Sequence, residues 1–292
     1  MNKLLLLDGN SLINRAFYAI AQGAVGLDNG ATYGFMRMFL RAIQDEAATH
    51  VAVAFDLRAP TFRHKMYDQY KAGRKKMPDE LAEQLADTKK LLEIMNIRYF
   101  TREGFEADDI IGTISRRAMA TTRDGVHDTD VTDDYEVVIL TSDRDLLQLV
   151  NTYVEVHLTK TGVTNTANYD VKRIADEFDG LTPDQLIDLK SLMGDKSDNI
   201  PGVAGVGPKT AIKIIKENRI AEYPDAVFCR KLVEIKCDVP IDVNFDELRF
   251  AFPLSRETFM AFKARKFFSL LKLDALWQSS TPAPTATQLS FF

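Results

Sequence analysis

Only two cysteines, Cys229 and Cys237, and four histidines, His50, His64, His127 and His157, occur among the 292 residues. The cysteines form no CxxC pair and the histidines are scattered, so ligand count and spacing exclude an ordinary zinc site. The two thiols are read as reduced structural side chains of a cytoplasmic protein, because disulfides belong to oxidising compartments. Long apolar runs are also missing, and nothing approaches the ~20 residues of a membrane span. The run Leu4-Leu5-Leu6-Leu7 follows Lys3 and is cut by Asp8, too short for a secretory signal. No membrane role is expected.

The hydrophobic fraction of 46% is ordinary for a globular chain and is enough for one large domain or two modest ones. The net charge of −5, taken whole, argues weakly against a polyanionic partner. The charge is segregated, however. Base gathers between Arg58 and Lys76, with Asp68 the lone acid there, and again at Lys263, Arg265, Lys266 and Lys272. Acid gathers elsewhere, and an acidic pit beside basic strips suits a metal-dependent enzyme acting on a polyanion.

Alternation of short apolar runs with helical periodicity marks the first ~160 residues as α/β. Strands are expected near 4–7, 51–55, 97–100, 136–140 and 153–158, and helices over 31–47, 79–95 and 108–120. The polar stretch 121–134 reads as a surface loop. From about residue 170 the strands cease. Thr182-Pro183 opens a helix to about Met193, Pro208 opens another to about Asn218, and 225–236 and 255–273 are also expected to be helical. Residues 279–287, rich in Ser, Thr, Pro and Ala, are expected to be disordered.

Four of the strand runs lead into acid. Asp8 follows the first and Asp56 the second. Glu106, Asp108 and Asp109, in GFEADD, follow the third, and Asp143 and Asp145 the fourth. Asp195 and Asp198 lie in GDKSDNIPG. In an open parallel sheet, ligands bind beyond the carboxyl ends of the strands, so acids far apart in sequence can converge. Such a cluster does not stay ionised without cations. Hard oxygen donors without His or Cys favour magnesium or manganese. For any single acid the alternative is an ordinary turn residue or helix cap.

Two further patterns accompany the acids. In FRHKMYDQYKAGRKK, Phe62, Tyr67 and Tyr70 interleave with Arg63, Lys65, Lys71, Arg74, Lys75 and Lys76, as on nucleic-acid surfaces. Lys71 and Arg74, three apart, are placed on one helical face that reaches a phosphate. The alternative is a solvated basic helix with buried aromatics. The stretch Gly202-Val203-Ala204-Gly205-Val206-Gly207 precedes Pro208, Lys209 and Thr210. Backbone N–H groups at a helix start, with glycines that allow close approach, grip a phosphate backbone without reading sequence. The alternative is a plain connection between helices.

From Leu4-Leu5-Leu6-Leu7-Asp8-Gly9-Asn10 to about Trp277, the chain resembles the bacterial 5′ nuclease family: the 5′→3′ exonuclease domain of DNA polymerase I and its flap endonuclease relatives. AFDLRAPTFRHKMYDQYKAGR, GFEADDIIGT, LTSDRDLLQLV, LMGDKSDNIPGVAGVGPKTA and KCDVPIDV carry the likeness. The resemblance implies an α/β fold with a PIN-like, mostly parallel sheet flanked by helices, a helical arch over the active site, and a C-terminal helix–three-turn–helix region. On this reading residues 1–170 are catalytic, with the arch at about 58–90. Residues 171–277 bind DNA, with the helix–three-turn–helix at 182–218, and 278–292 form a disordered tail. The resemblance also implies two Mg2+, with Mn2+ as substitute. Asp8, Asp56, Glu106 and Asp108 match the first metal's set. Asp109, Asp143, Asp145, Asp195 and Asp198 match the second, some acting through water. Lys71 and Arg74 match the residues that contact the scissile phosphate. The 202–207 hairpin matches the DNA-binding turn, which in the family can hold K+.

The implied activity is hydrolysis at 5′ flaps, nicks or ends of DNA and of RNA primers, by a monomer working at the nucleoid during replication and repair. A PIN-like ribonuclease is a rival disfavoured by the hairpin. A non-catalytic structure-specific DNA-binding protein is disfavoured by the full set of acids. Ser142 replaces the family's usual glycine, Lys75-Lys76 replaces a proline pair, and 121–134 is longer than usual. Gln288, Leu289, Phe291 and Phe292 resemble the peptide by which bacterial replication proteins bind the sliding clamp, with Phe291 where leucine is more usual.

Overall fold

A computed structural model of the chain describes residues 2–21, 29–123, 135–160, 165–273 and 276–277. The expected clamp peptide at 288–292 and most of the 121–134 loop lie outside the described residues. Residues 121–123 close a helix instead.

Six strands form one sheet in the order β3-β2-β1-β4-β5-β6. They are β1 (Asn2–Asp8), β2 (His50–Ala54), β3 (Tyr99–Phe100), β4 (Tyr135–Thr141), β5 (Val154–Thr159) and β6 (Thr166–Tyr169). The first five pair in parallel, and β6 is added antiparallel to β5. The helices are α1 (Gly9–Ala21), α2 (Gly30–Glu46), α3 (Phe62–Met66), α4 (Asp79–Ile94), α5 (Ala107–Arg123), α6 (Val171–Glu177), α7 (Pro183–Met193), α8 (Pro208–Lys216), α9 (Pro224–Val233), α10 (Arg256–Ala264) and α11 (Phe268–Leu271). None is long and apolar enough to cross a membrane among the described residues.

The four-leucine run is apolar at every position because β1 is central and buried on both faces, as parallel sheets are. Leu5 and Leu7 enter one core with Val51, Val53, Phe35 and Phe39. Leu4 and Leu6 enter the other with Ala52, Ala54, Ile110 and Ile114. The two-residue strand period sorts neighbours in sequence onto opposite layers. The chain builds outward from β1 to β2 and β3, then returns through α5 to the other side of β1 as β4. The strand order therefore reverses between β1 and β4, where a crevice opens at the carboxyl ends.

Two expectations are corrected, and two elements are additions. Residues 67–78 are turn and extended chain, not arch helix, because Lys71 takes a left-handed φ of 56° and breaks helical continuation. Strand β6 and helix α1 were not anticipated. The expected helix 255–273 is two helices, broken where Lys266 has a φ of 60°. Packing also crosses residue 170. Residues 181–233 make their own small cores around Leu181, Leu192, Ile214 and Leu232. Ile235, Val239, Phe245 and Leu248 then rejoin one face of the sheet, while Phe262, Phe267 and Leu270 rejoin the other.

Candidate active site

The acids at the strand ends are first of all local caps. Asp8 ends β1, and its Oδ1 accepts from the N–H of Ser11 at 3.0 Å. Asp56 Oδ1 accepts from the N–H of Ala107 at 2.7 Å, at the start of α5. Asp143 Oδ1 accepts from the N–H of Asp145 at 2.9 Å, at the start of the tight turn Arg144–Leu149. These bonds satisfy orphan donors at element starts. Capping and convergence are one arrangement here, because each element start lies at the same end of the sheet.

The convergence is direct. Asp8, Asp56, Glu106, Asp108 and Asp143 line an open cavity of about 900 Å³ together with Lys71, Arg74, Lys75 and Lys76. Glu106, Asp108 and Asp143 also border an inner recess with Asp145, Asp198 and Lys190. Oxygens of Asp145, Asp195 and Asp198 lie within 4.8 Å of one another. Gly9 lets α1 start this close to β2, since a Cβ there would collide with the Phe55 ring.

The electrostatics follow from burial and crowding. Burial, with Asp56 and Asp143 nearby, pushes the Asp8 carboxyl up to about 7 against the opposing bonds from Ser11 and Thr141. Asp108 is raised well above the usual range by burial and by Asp8, Asp143 and Asp56. Burial and Glu106 raise Asp56 against the bond from Ala107 and the charges of Lys71 and Arg74. Burial takes Asp145 up to about 6 despite Lys190. Asp195 goes the other way: burial is outweighed by Lys190 and Ser197, which bring it down to about 2. At Asp198, burial is likewise outweighed by Lys71 and Arg74, so its carboxyl is lowered. Carboxylates that raise one another are a group short of cations. All donors are hard oxygens, so the set fits Mg2+ or Mn2+.

Lys71 and Arg74 do not share a helix face, yet they meet the acids. Lys71 Nζ lies 2.6 Å from Glu106 Oε1 and Arg74 Nη2 lies 2.7 Å from Asp198 Oδ1. Lys75 is exposed at the cavity edge and Lys65 is exposed on α3.

Five residues have surroundings that the sequence did not signal. Asp109 is fully buried: its oxygens take both Nη groups of Arg63, at 2.7 and 2.8 Å, and the N–H of Lys236 at 2.8 Å. The N–H of Glu106 adds a fourth bond at 3.0 Å, so both oxygens of Asp109 are engaged by protein donors in the metal-free chain. Arg63, 2% exposed, spends its remaining donors on the carbonyls of Leu232 and Glu234 and is no DNA-facing residue. Tyr70 is buried too. Its hydroxyl lies 3.1 Å from Glu106 Oε2 and 3.2 Å from Asp198 Oδ2, so it supports the acids and is not a stacking surface. Asp143, expected with the second set, stands beside Asp145 but also beside Asp8 and Asp108, and it borders both cavities. Arg265 pairs with Asp87 of α4 at 2.6 and 2.7 Å, which removes it from the second basic strip, while Lys263, Lys266 and Lys272 stay exposed.

The hairpin between α7 and α8 presents exposed Gly205, Gly207, Lys209 and Thr210, with Val203 half-buried and Gly202 buried. Gly202 and Gly205 have φ of 67° and 77°, which glycine adopts freely. Several residues went unremarked in the sequence. Asn10 Oδ1 accepts from the N–H of Asp56 at 2.9 Å, and Thr141 donates to Asp8 Oδ2 at 2.8 Å. Asn14, Arg15 and Tyr18 of α1 line the cavity wall, and Lys190 bridges Asp145 and Asp195. The Asp-Gly-Asn-Ser run after β1 was the available signal for α1. Nothing local marked Lys190.

Residues 3–179 match the family model of the 5′-3′ exonuclease N-terminal resolvase-like domain, and residues 181–223 match the 5′-3′ exonuclease C-terminal SAM fold. DNA polymerase I of Bacillus caldotenax is 36% identical over 293 residues, covering 92% of this chain and 32% of the relative. DNA polymerase I of Mycobacterium tuberculosis is 42% identical over 270 residues, covering 84% of this chain and 28% of the relative. The chain thus spans about a third of the length of these relatives. Among solved structures, T5 5′-exonuclease with bound zinc superposes with a TM-score of 0.63 at 20% identity, covering 80% of this chain and 90% of that one, a likeness of fold. With both family models matched in order along one continuous stretch, this chain belongs to the 5′-3′ exonuclease family.

Proposed function

We propose that the chain is a metal-dependent 5′ nuclease that hydrolyses phosphodiester bonds at 5′ flaps, nicks and ends of DNA, including RNA primers, and leaves a 5′-phosphate. The observation that carries this reading is the convergence of carboxylates from separate parts of the chain: Asp8, Asp56, Glu106, Asp108 and Asp143 line one open cavity rimmed by Lys71, Arg74, Lys75 and Lys76, and Asp145, Asp195 and Asp198 gather behind it. The DNA polymerase I relatives and the T5 flap endonuclease solved in a complex with DNA and metal ions support the same reading.

Asp8, Asp56, Glu106, Asp108 and Asp143 would hold one Mg2+, and Asp145, Asp195 and Asp198 a second, with Mn2+ able to substitute. When bound, two such ions activate the attacking water and stabilise the leaving oxygen of an in-line displacement. The protein's own work is positioning. Lys71 and Arg74, now paired with Glu106 and Asp198, are placed to turn to the scissile phosphate as the ions take over the carboxylates. Their charge then acts where charge develops. The exposed glycines and Lys209 of the α7–α8 hairpin grip the duplex backbone, with K+ able to bind its carbonyls, and Lys65 and Lys75 extend the basic track.

From that substrate class we infer work in replication and repair, in the cytoplasm at the nucleoid, and we propose that the chain acts as a monomer. The tail residues Gln288, Leu289, Phe291 and Phe292 would dock on a sliding clamp. Deletion after Thr287 tests this, with loss of clamp binding and unchanged cleavage of naked flap DNA expected. The nuclease reading is tested on a labelled 5′-flap duplex with Mg2+ or EDTA. Short 5′-phosphorylated products with Mg2+ and none with EDTA are expected. Metal-independent cleavage, or binding without cleavage, would reject it.

A further inference from the structure

Lys190 projects from α7 into the inner recess, five residues before Asp195. Its ammonium is bonded to Asp145 and lies 2.5 Å from Asp195 Oδ2. The side chain is only 21% exposed. Its stem borders an apolar cavity with Leu147, Phe178, Leu186 and Met193, which fixes the head group on the acids. Asp145 and Asp195, with Asp198, are the carboxylates whose oxygens gather within 4.8 Å. The ammonium therefore stands between two of the three carboxylates that a divalent ion on that triad would use, while Asp198 is paired with Arg74. Lys71 and Arg74 line the main opening, but Lys190 does not; it borders the recess behind. It is thus not placed for a substrate phosphate.

We propose that Lys190 is the internal counter-ion of the Asp145–Asp195–Asp198 triad: it neutralises the acids in the metal-free chain, gives up that place when the second divalent ion binds, and so sets how weakly that ion is held. The inference rests on the two-ion reading above and concerns regulation of that same site. The physical ground is exchange. Two carboxylates this close repel unless a cation lies between them. An ammonium tethered by its own helix supplies that cation without a loss of translational freedom. A divalent ion entering the triad must break both charge-assisted contacts, so its apparent affinity falls by the factor with which the ammonium holds its place. Lys190 acts through Asp145 and Asp195 and is a positioning residue. Its pairing keeps the recess assembled before the second ion arrives.

The test is calorimetric titration of Mn2+ into the EDTA-stripped full chain, comparing wild type with Lys190→Met and Lys190→Arg. Wild type is expected to take up two ions of unequal affinity. In Lys190→Met the weaker site should tighten tenfold or more with the tighter site unchanged, and Lys190→Arg, which keeps the cation, should resemble wild type. A weaker site unchanged or loosened in Lys190→Met overturns the proposal. In case Lys190→Met does not fold, the wild-type chain with 13C-labelled lysine is followed by NMR, with the Lys190 Cε resonance assigned through Lys190→Arg. That resonance should shift as the weaker site fills, and a resonance that stays in place overturns the proposal. A wild-type isotherm with a single ion removes the two-ion reading and this inference with it, an outcome distinct from two sites indifferent to Lys190.

Discussion

Lys71 is tied to the acidic site at both ends: its Nζ lies 2.6 Å from Glu106 Oε1, and its backbone N–H donates to the carbonyl of Asp198 at 2.9 Å. The pairing needs the left-handed φ of 56° at Lys71, a conformation uncommon for a side chain other than glycine. A residue that reaches the centre only through such a turn is over-determined by its surroundings.

From this tie, Lys71→Gly should keep the turn and lose only the cation. With flap DNA, the single-turnover rate should fall by about 10²-fold or more, the scale for losing one preorganised charge-stabilising group, while affinity changes far less. Lys71→Ala should do the same with an added loss of stability. Rapid-quench rates beside equilibrium binding distinguish this from a plain surface role, in which affinity falls and the rate is unchanged.

The crowded acids make the metal-free chain sensitive to pH. Asp8 at about 7 and Asp145 at about 6 lie above the ordinary 3.8. At these two groups the folded state therefore holds more protons than the unfolded chain between pH 4 and 7. Stability falls with rising pH wherever the folded state binds more protons. With EDTA, the contribution of these groups should be most favourable below pH 4 and should be lost as pH rises through about 6 and 7. Added Mg2+ should raise Tm more at pH 8 than at pH 5. Asp8→Asn should flatten the EDTA profile. A metal-free Tm that climbs between pH 5 and 8 in wild type, with Asp8→Asn indistinguishable, would contradict this.

Much of this arrangement was legible because a parallel sheet has a simple grammar. Each apolar run ends at the same edge, so Asp8, Asp56 and Asp143 could be placed together without knowing a contact. The basic stretch was harder. Arg63, Tyr70 and Lys71 share composition and neighbourhood, but one left-handed turn at Lys71 decides which of them face the pit, and no periodicity encodes it. Asp108 and Asp109 are adjacent on α5 and therefore point about 100° apart, so one joins the cavity and the other the buried pair with Arg63. Lys190 was invisible because its partners lie 45 and 5 residues away on other elements. Phe262, Phe267 and Leu270 fill a core begun by α1, α2 and α4, a return that composition does not signal.

The Arg63–Asp109 pair should behave as structure. Removing one partner of a buried ion pair leaves an uncompensated charge and costs about 3–5 kcal/mol. Arg63→Ala should therefore lower the urea midpoint sharply, and Arg63→Lys should recover little, since an ammonium cannot reproduce the bidentate fork. The salt dependence of DNA binding, where the variant folds, should stay unchanged, because Arg63 offers no phosphate contact. For exposed Lys65 the expectation reverses: wild-type stability with a shallower salt slope.

The two left-handed glycines of the hairpin should separate fold from grip. At Gly202, φ is 67° and an added Cβ would fall inside the backbone of Met193 and Gly194. At Gly205, φ is 77° but nothing lies within 4 Å of an added Cβ. Gly202→Ala thus meets both conformational strain and a backbone that cannot move aside, since Val203 N–H donates to the carbonyl of Leu192 at 2.8 Å and holds the two strands of the hairpin together. Gly205→Ala meets only the strain of a left-handed residue, about 1–2 kcal/mol. The expected result is a large fall in stability for Gly202→Ala, and for Gly205→Ala a small one with a weakened hold on duplex DNA, because a methyl group would stand off the phosphate that the bare backbone admits. Thermal melts paired with binding of a blunt duplex at several salt concentrations check both. Full affinity in Gly205→Ala would move the backbone contact away from this turn, to Lys209 and Thr210 at the start of α8.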